Sequence, residues 1–388
     1  AMKSTRYLVA AVVIMFFSMS PADAQEGETA RQQRAGFETI IEGLNKDSFD
    51  GFTRAIDKKA MTARIFGNRL IDADVRTAFS RDVSTSLQQM FVASFPVSDK
   101  EILGTVIDFE TDGERGRAVV RYAASGYRYA YHVYELRFGP KGRVSIEDWV
   151  DYYGGSRFSD EVGLSLVMAL PSKAAALREL DNKGLDDREV FQVAELFKAV
   201  RDNNSERFFQ ITDGMRDTVL KEKLISRLAL RMALMARDTE RIDSAVRLLA
   251  ESNADDALNS LRLIEYLIPR RQYQGAIDEL VRLQADIGVR DGASESLKAS
   301  AALANGDTAE ALAFARAAAM AEPGLELSWW TLLRAGTRVE NYAAVTEALT
   351  RLEDDFGHRL GPAKLRRDPF LKVLADRQEY LDWRASRD

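Results

Sequence analysis

The chain has 388 residues, with 54 Lys and Arg against 60 Asp and Glu, two histidines and no cysteine. A net charge of −6 argues against nucleic acid as a general partner. The absence of thiols excludes disulfides, a lipidated cysteine and thiolate chemistry, and two histidines are too few for a multi-histidine zinc site.

The chain opens on Lys3 and Arg6, an apolar run from Tyr7 to Phe17, and Pro21-Ala22-Asp23-Ala24. A charged start, a short apolar run and a small-x-small end are the parts of an export signal, so residues 1–24 read as a signal peptide cleaved after Ala24. The run falls short of the about 20 apolar residues of a membrane span. The expectation is a soluble periplasmic protein with no stable membrane anchor after cleavage.

From Glu28 to Pro96 the apolar residues recur at helical spacing. Phe37, Ile40, Ile41 and Leu44 form one stripe, and Val75, Phe79, Val83, Leu87, Met90 and Phe91 form another. Residues 45–57 read as a break, with Asp47 or Ser48 capping the next helix. After Pro96 the pattern turns to strands: Glu101 to Thr111, Gly116 to Ala124, Tyr127 to Phe138 and Arg143 to Tyr153. They are rich in Val, Ile and aromatics and are divided by Asp112-Gly113, Ser125-Gly126 and Gly139-Pro140-Lys141-Gly142. Gly154-Gly155-Ser156 reads as the stop after the last strand, with Ser156 or Ser159 capping a helix that carries Val162, Leu164, Leu166, Val167 and Leu170.

The last hairpin can be registered. Pro140 and Gly142 suit a three-residue loop that sets Gly139 opposite Arg143. Counting outward puts Leu136 opposite Ile146, Tyr134 opposite Asp148 and His132 opposite Val150, with one apolar face shared. On that face stands Asp148, whose carboxylate needs a donor, and Tyr134 or His132 is the expected one. Asp148, Tyr134 and His132 are therefore the candidate pocket residues. The stripe of Tyr127, Tyr129 and Tyr131 on the opposite face predicts packing or contact with a neighbouring domain.

Helices followed by a curved antiparallel meander, over Gly27 to Leu170, resemble the nuclear transport factor 2-like cone fold. That resemblance implies a pocket between helix and sheet. In ketosteroid-isomerase-like members, buried Asp and His serve there as acid and base, so Asp148 and His132 are either such a pair or a structural hydrogen bond. No Gly-x-Ser-x-Gly elbow, phosphate-cradling Gly-Lys-Ser/Thr loop or Gly-x-Gly-x-x-Gly turn occurs, and no residue set calls for a cofactor.

Pro171 to Asp187 is polar, and Asp181-Asn182-Lys183-Gly184 reads as a hinge. Beyond it only helices are evident: Val190 to Val200, Ser205 to Asp213, Asp217 to Met235 and Thr239 to Glu251. From Ala257 to Gly357 the chain repeats about every thirty-four residues. The turns fall at Arg271-Gln272, Gly306-Asp307 and Glu340-Asn341, and Ala276, Ala311 and Val345 hold the equivalent close-packing position. Together with Ala299, Ala318 and Pro323 this resembles the tetratricopeptide repeat family, and the resemblance implies stacked helix pairs that hold partners in a groove. Leu365 to Trp383 reads as a cap, with a helix starting at Asp368-Pro369 and Phe370, Leu371, Leu374 and Tyr380 facing the array. On the groove side of the unit beginning at Glu326 stand Leu327, Trp330, Arg334 and Arg338, an apolar pair with two guanidinium groups suited to a carboxylate-bearing peptide. The alternative is that Trp330 packs on the cap and the arginines are solvated. The equivalent Ser296, Ser300 and Ala304 are small.

The fold class expected is thus an α+β domain of helices plus a curved antiparallel sheet over 25–170, a linker over 171–187, and an all-α tetratricopeptide-like array over 188–388. The functional expectation is a non-catalytic scaffold or adaptor for a protein or peptide partner. The alternatives are a small-molecule or lipid binder with its pocket in the cone, and an enzyme of ketosteroid-isomerase type.

Overall fold

The computed structural model describes residues 21–46, 48–67, 69–93, 103–124, 128–169, 179–180, 184–252 and 256–387. The apolar run of the expected signal, most of the hinge, Asp47, Leu170 and Tyr127 lie outside them. The α+β half begins with α1 (Pro21–Asn45), α2 (Phe49–Ala55), α3 (Lys58–Phe66), α4 (Ala73–Arg81) and α5 (Val83–Ala93). The break expected over 45–57 therefore holds a short helix. Ser48 makes no side-chain cap for it, while Asp57 caps α3 by accepting from the Ala60 amide at 3.0 Å. Phe37 and Ile41 from the first stripe, and Phe79, Leu87 and Phe91 from the second, are buried as their spacing requires.

The meander is β1 (Leu103–Thr111), β2 (Arg115–Ala124), β3 (Arg128–Phe138), β4 (Val144–Asp151) and β5 (Ser156–Arg157), antiparallel throughout in the order β1-β2-β3-β4-β5. Ser156, expected to cap a helix, instead begins the short fifth strand. Gly139 and Arg143 close the last hairpin as expected, the Gly139 amide donating to the Arg143 carbonyl at 2.8 Å. Leu136 also meets Ile146 as expected, and then the register shifts.

Beyond the bulge Glu135 faces Asp148, Tyr134 faces Trp149 and His132 faces Asp151, which corrects the expected pairing. The physical reason lies in the spacing of the buried residues. Ile146 and Trp149 are three apart and both fully buried, and a regular strand would put them on opposite faces. One extra residue, Glu147, restores them to one face and lets the Glu147 and Asp148 carboxylates both reach Arg64.

After α6 (Phe158–Ala169) only helical elements and turns are described: α7 (Asp187–Arg201), α8 (Ser205–Thr212), α9 (Asp217–Leu220), α10 (Lys223–Ala236), α11 (Thr239–Ser252), α12 (Ser260–Leu267), α13 (Tyr273–Ile287), α14 (Gly292–Asn305), α15 (Thr308–Ala321), α16 (Glu326–Arg338), α17 (Tyr342–Asp354), α18 (Pro362–Leu365) and α19 (Gln378–Ala385). Ala276, Ala299, Ala311, Ala318 and Val345 are buried where helix packs on helix. Gly306, at φ +94°, ends α14 in the left-handed region that favours glycine. The cap differs from expectation. No helix starts at Asp368; residues 366–376 run as turns and a 3₁₀ segment, with Asp368 accepting from the Phe370 amide at 2.8 Å. Leu371, Leu374 and Tyr380 are buried on the array, but Phe370 is 50 % exposed. Among the described residues no helix is long and apolar enough to cross a membrane.

One buried cluster runs without interruption from Phe37 to Ile287, so the sheet and the first part of the array share a core. A second, from Ala299 to Trp383, holds the later array and its cap.

Candidate binding surfaces

The face of the sheet turned toward α1 and α5 carries His132, Tyr134 and Trp149. Aromatic rings fill the space where the cone resemblance placed a pocket. Phe37 and Phe52 lie 5.4 and 6.2 Å from Tyr134, Phe91 lies 5.5 Å from Trp149 and 6.0 Å from His132, and Phe158 stacks on Trp149 at 3.9 Å. The Tyr134 hydroxyl bonds that of Tyr122 at 2.6 Å and His132 Nδ1 at 3.2 Å. Burial pushes both phenols above their usual range.

Asp148 is not in this set. It is buried, as expected, but its partners are other than Tyr134 and His132. It accepts from the Ser159 hydroxyl at 2.6 Å and from the amides of Trp149 and Ser159 at 2.9 and 3.2 Å. Ser159, expected as a helix cap, thus spends its hydroxyl on this carboxylate. Arg64 and Arg157 stand 3.5 Å from Asp148 and also bond Glu135 across the bulge. Burial raises the Asp148 pKa, against the Ser159 and Trp149 donors and Arg157, which lower it. The structure therefore brings His132 and Tyr134 together and separates Asp148 from both.

The groove residues divide in the same way. The Trp330 indole donates to Glu326 at 2.8 Å, lies edge-on to His358 with centroids 5.2 Å apart, and has the Lys364 ammonium 5.5 Å from its ring centroid. Arg334 donates to Asp368 at 2.9 Å and approaches the Phe370 ring. Both face the C-terminal segment, which corresponds to the alternative reading for Trp330 but not to a solvated Arg334. Leu327 is half-buried and Arg338 exposed.

The opposite face of the sheet meets the array. Arg121, 4 % exposed, donates to Asp291 at 2.6 Å and to Glu322 at 2.6 and 2.8 Å, and the Tyr131 hydroxyl donates to Asp291 at 3.1 Å. Asp291 also caps α14 by accepting from the Ser294 amide at 3.0 Å. Burial works against the Arg121 charge, yet Glu322 and Asp291 hold its pKa above the ordinary arginine value. Nearby, Tyr152 donates to Asp286 at 2.6 Å, and Arg262 lies 3.8 Å over the Tyr153 ring. Tyr131 thus contacts the array through Asp291, and the Tyr129 ring lies 5.6 Å from the Arg121 guanidinium. This contact was not foreseen as a site. Its one local sign was a charge inside the apolar run Ala118-Val119-Val120-Arg121-Tyr122.

Beside the contact, a cleft of about 590 Å³ opens between α6 and α10, lined by Phe158, Val162, Arg227, Leu228 and Arg231 and by Asn259 and Arg262. No sequence motif announced it, because its residues come from three separate segments between Asp151 and Arg262. Compared with family models, with curated proteins and with solved structures, the chain matches none, so the two family resemblances rest on element order and repeat spacing.

Proposed function

We propose that the chain is an exported, non-catalytic adaptor that holds a protein or peptide partner on the part of the array's inner face that its own sheet and cap leave open. The observation that carries this reading is the exposure of Ser300, Ala304 and Arg338 at groove positions, next to residues of the same face that are already engaged within the chain. Small side chains beside an exposed guanidinium suit an extended segment bearing a carboxylate. The sheet–array contact through Arg121 supports the same reading, since it presents surfaces of both halves together. The packed rings around His132 and Tyr134, and the commitment of Asp148 to the Ser159 hydroxyl, favour binding over acid–base chemistry.

A photo-crosslinking side chain placed at position 304 or 338 in the exporting cell tests this. Both positions are expected to trap one common protein or peptide that the exposed outer position Met320 does not trap. No adduct at either groove position, or the same adducts at all three, would overturn the adaptor reading.

A further inference from the structure

The geometry points to a second binding site: the cleft between α6 and α10 takes a single-chain anionic amphiphile, an acyl carboxylate, with its head on the arginines and its chain between the two helices. The cleft's volume of about 590 Å³ lies within the range of small-ligand sites. Its chemistry is divided as such a ligand needs. Phe158, Val162 and Leu228 are buried apolar lining, and Leu234, 39 % exposed, carries that lining to the surface.

The polar end is cationic. Three arginines, Arg227, Arg231 and Arg262, line the cleft together with two carboxylates, Glu161 and Asp151. Asp151 is committed, since it accepts from the amides of Tyr153 and Gly154 at 2.8 Å each and lies 3.5 Å from His132 Nε2. Glu161 is shared between Arg227 at 3.4 Å and Arg231 at 3.3 Å, both longer than the about 2.7–2.9 Å of a tight guanidinium–carboxylate pair. The arginines can therefore accept a second carboxylate without breaking a strong bond. Arg262 is held in place by the Tyr153 carbonyl and hydroxyl, each at 3.1 Å. Asn259 lines the same end, is 4 % exposed, and its Nδ2 has no partner. A buried amide without a partner is unfavourable, and a carboxylate oxygen at this end would satisfy it.

Isothermal titration of the full chain with dodecanoate below its micellar range tests the assignment, with dodecyltrimethylammonium and acetate as the same tail with the opposite head and the same head with no tail. One dodecanoate per chain is expected, with both controls at least tenfold weaker. Arg227→Gln combined with Arg231→Gln should weaken dodecanoate at least tenfold, and Ser165→Trp, which fills the cleft from α6, should abolish binding. Lack of dodecanoate binding would overturn the site, as would equal affinity for the cationic amphiphile or for acetate. So would unchanged binding by a Ser165→Trp chain that melts with the parent. The comparison of heads and tails uses only the parent chain, so it decides even if a variant fails to fold.

Discussion

Two of the buried carboxylates, Asp148 and Asp291, are held in opposite ways. Asp148, within the α+β half, is held by a hydroxyl and two amides no more than eleven residues away, with guanidinium groups at 3.5 Å. Asp291, where sheet and array meet, is held by the charge of Arg121, 170 residues distant in sequence, at 2.6 Å. The first is clamped at hydrogen-bond distance by neutral donors, and the two guanidinium groups beside it also hold Glu135, so its charge can be removed without leaving either of them unpaired. The second belongs to a charge balance between two parts of the fold, so removing Arg121 leaves Asp291 buried with no cation.

The largest effect should therefore come from Arg121→Met. It keeps the side-chain bulk but leaves Asp291 buried without its cation beside Glu322, and breaking a buried pair on one side costs about 3–5 kcal/mol. Urea unfolding followed by circular dichroism should show a lower midpoint, or sheet and array melting in separate steps. A variant within about 1 kcal/mol of the parent and still melting in one step would show that the contrast between the two carboxylates is wrong.

Asp148 should respond more mildly. Asp148→Ala leaves the Ser159 hydroxyl and two amides short of an acceptor, at a cost of about 1–3 kcal/mol. Asp148→Asn keeps one acceptor oxygen and should cost less. The pH dependence has a definite sign. Because burial raises the folded-state pKa above 3.8, there is a window above 3.8 in which the folded chain keeps a proton that the unfolded chain has lost. Stability falls as pH rises through that window. Asn carries no such proton, so the parent should lose ground to Asp148→Asn as pH climbs through the window, and the difference should be flat above it. A difference that moves the other way, in favour of the parent, would mean that Arg64 and Arg157 outweigh burial.

The sequence showed the parts of this molecule that obey a local period. Ala276, Ala311 and Val345 mark the helix packing because a repeat writes the same steric demand every thirty-four residues. The strand ends followed from turn residues, and the inward set of α1 from a helical stripe. The bulge at Glu147 escaped because a count outward from the turn assumes an unbroken alternation. Only the joint burial of Ile146 and Trp149 shows that it breaks. The Arg121 contact and the α6–α10 cleft escaped for a different reason. Each joins residues far apart in the chain, and no pattern within a window of sequence records which partner a lone charge will find. The cap escaped in part because its apolar residues fit a helix, while Asp368 takes the Phe370 amide and directs the chain into turns instead.

The smallest effect is expected at Arg334, and it sharpens the comparison by adding a third kind of ion pair, one that is only partly buried. Its partner Asp368 lies 34 residues on, in the cap, and both side chains keep some contact with solvent. A pair of this kind contributes about 0.2–1 kcal/mol, so Arg334→Ala should barely shift the global melt. The effect should instead be local. Losing the tether loosens residues 366–376, which run as turns whose backbone bonds reach only three or four residues back, and amide exchange there should quicken while α14 and α15 keep their protection. Arg338→Ala, on the same helix face but exposed, is the control and should change neither the melt nor the exchange. If both substitutions leave the cap's exchange unaltered while both weaken the partner crosslink at position 304, Arg334 belongs to the open groove with Arg338, and its contact with Asp368 gives way when the partner binds.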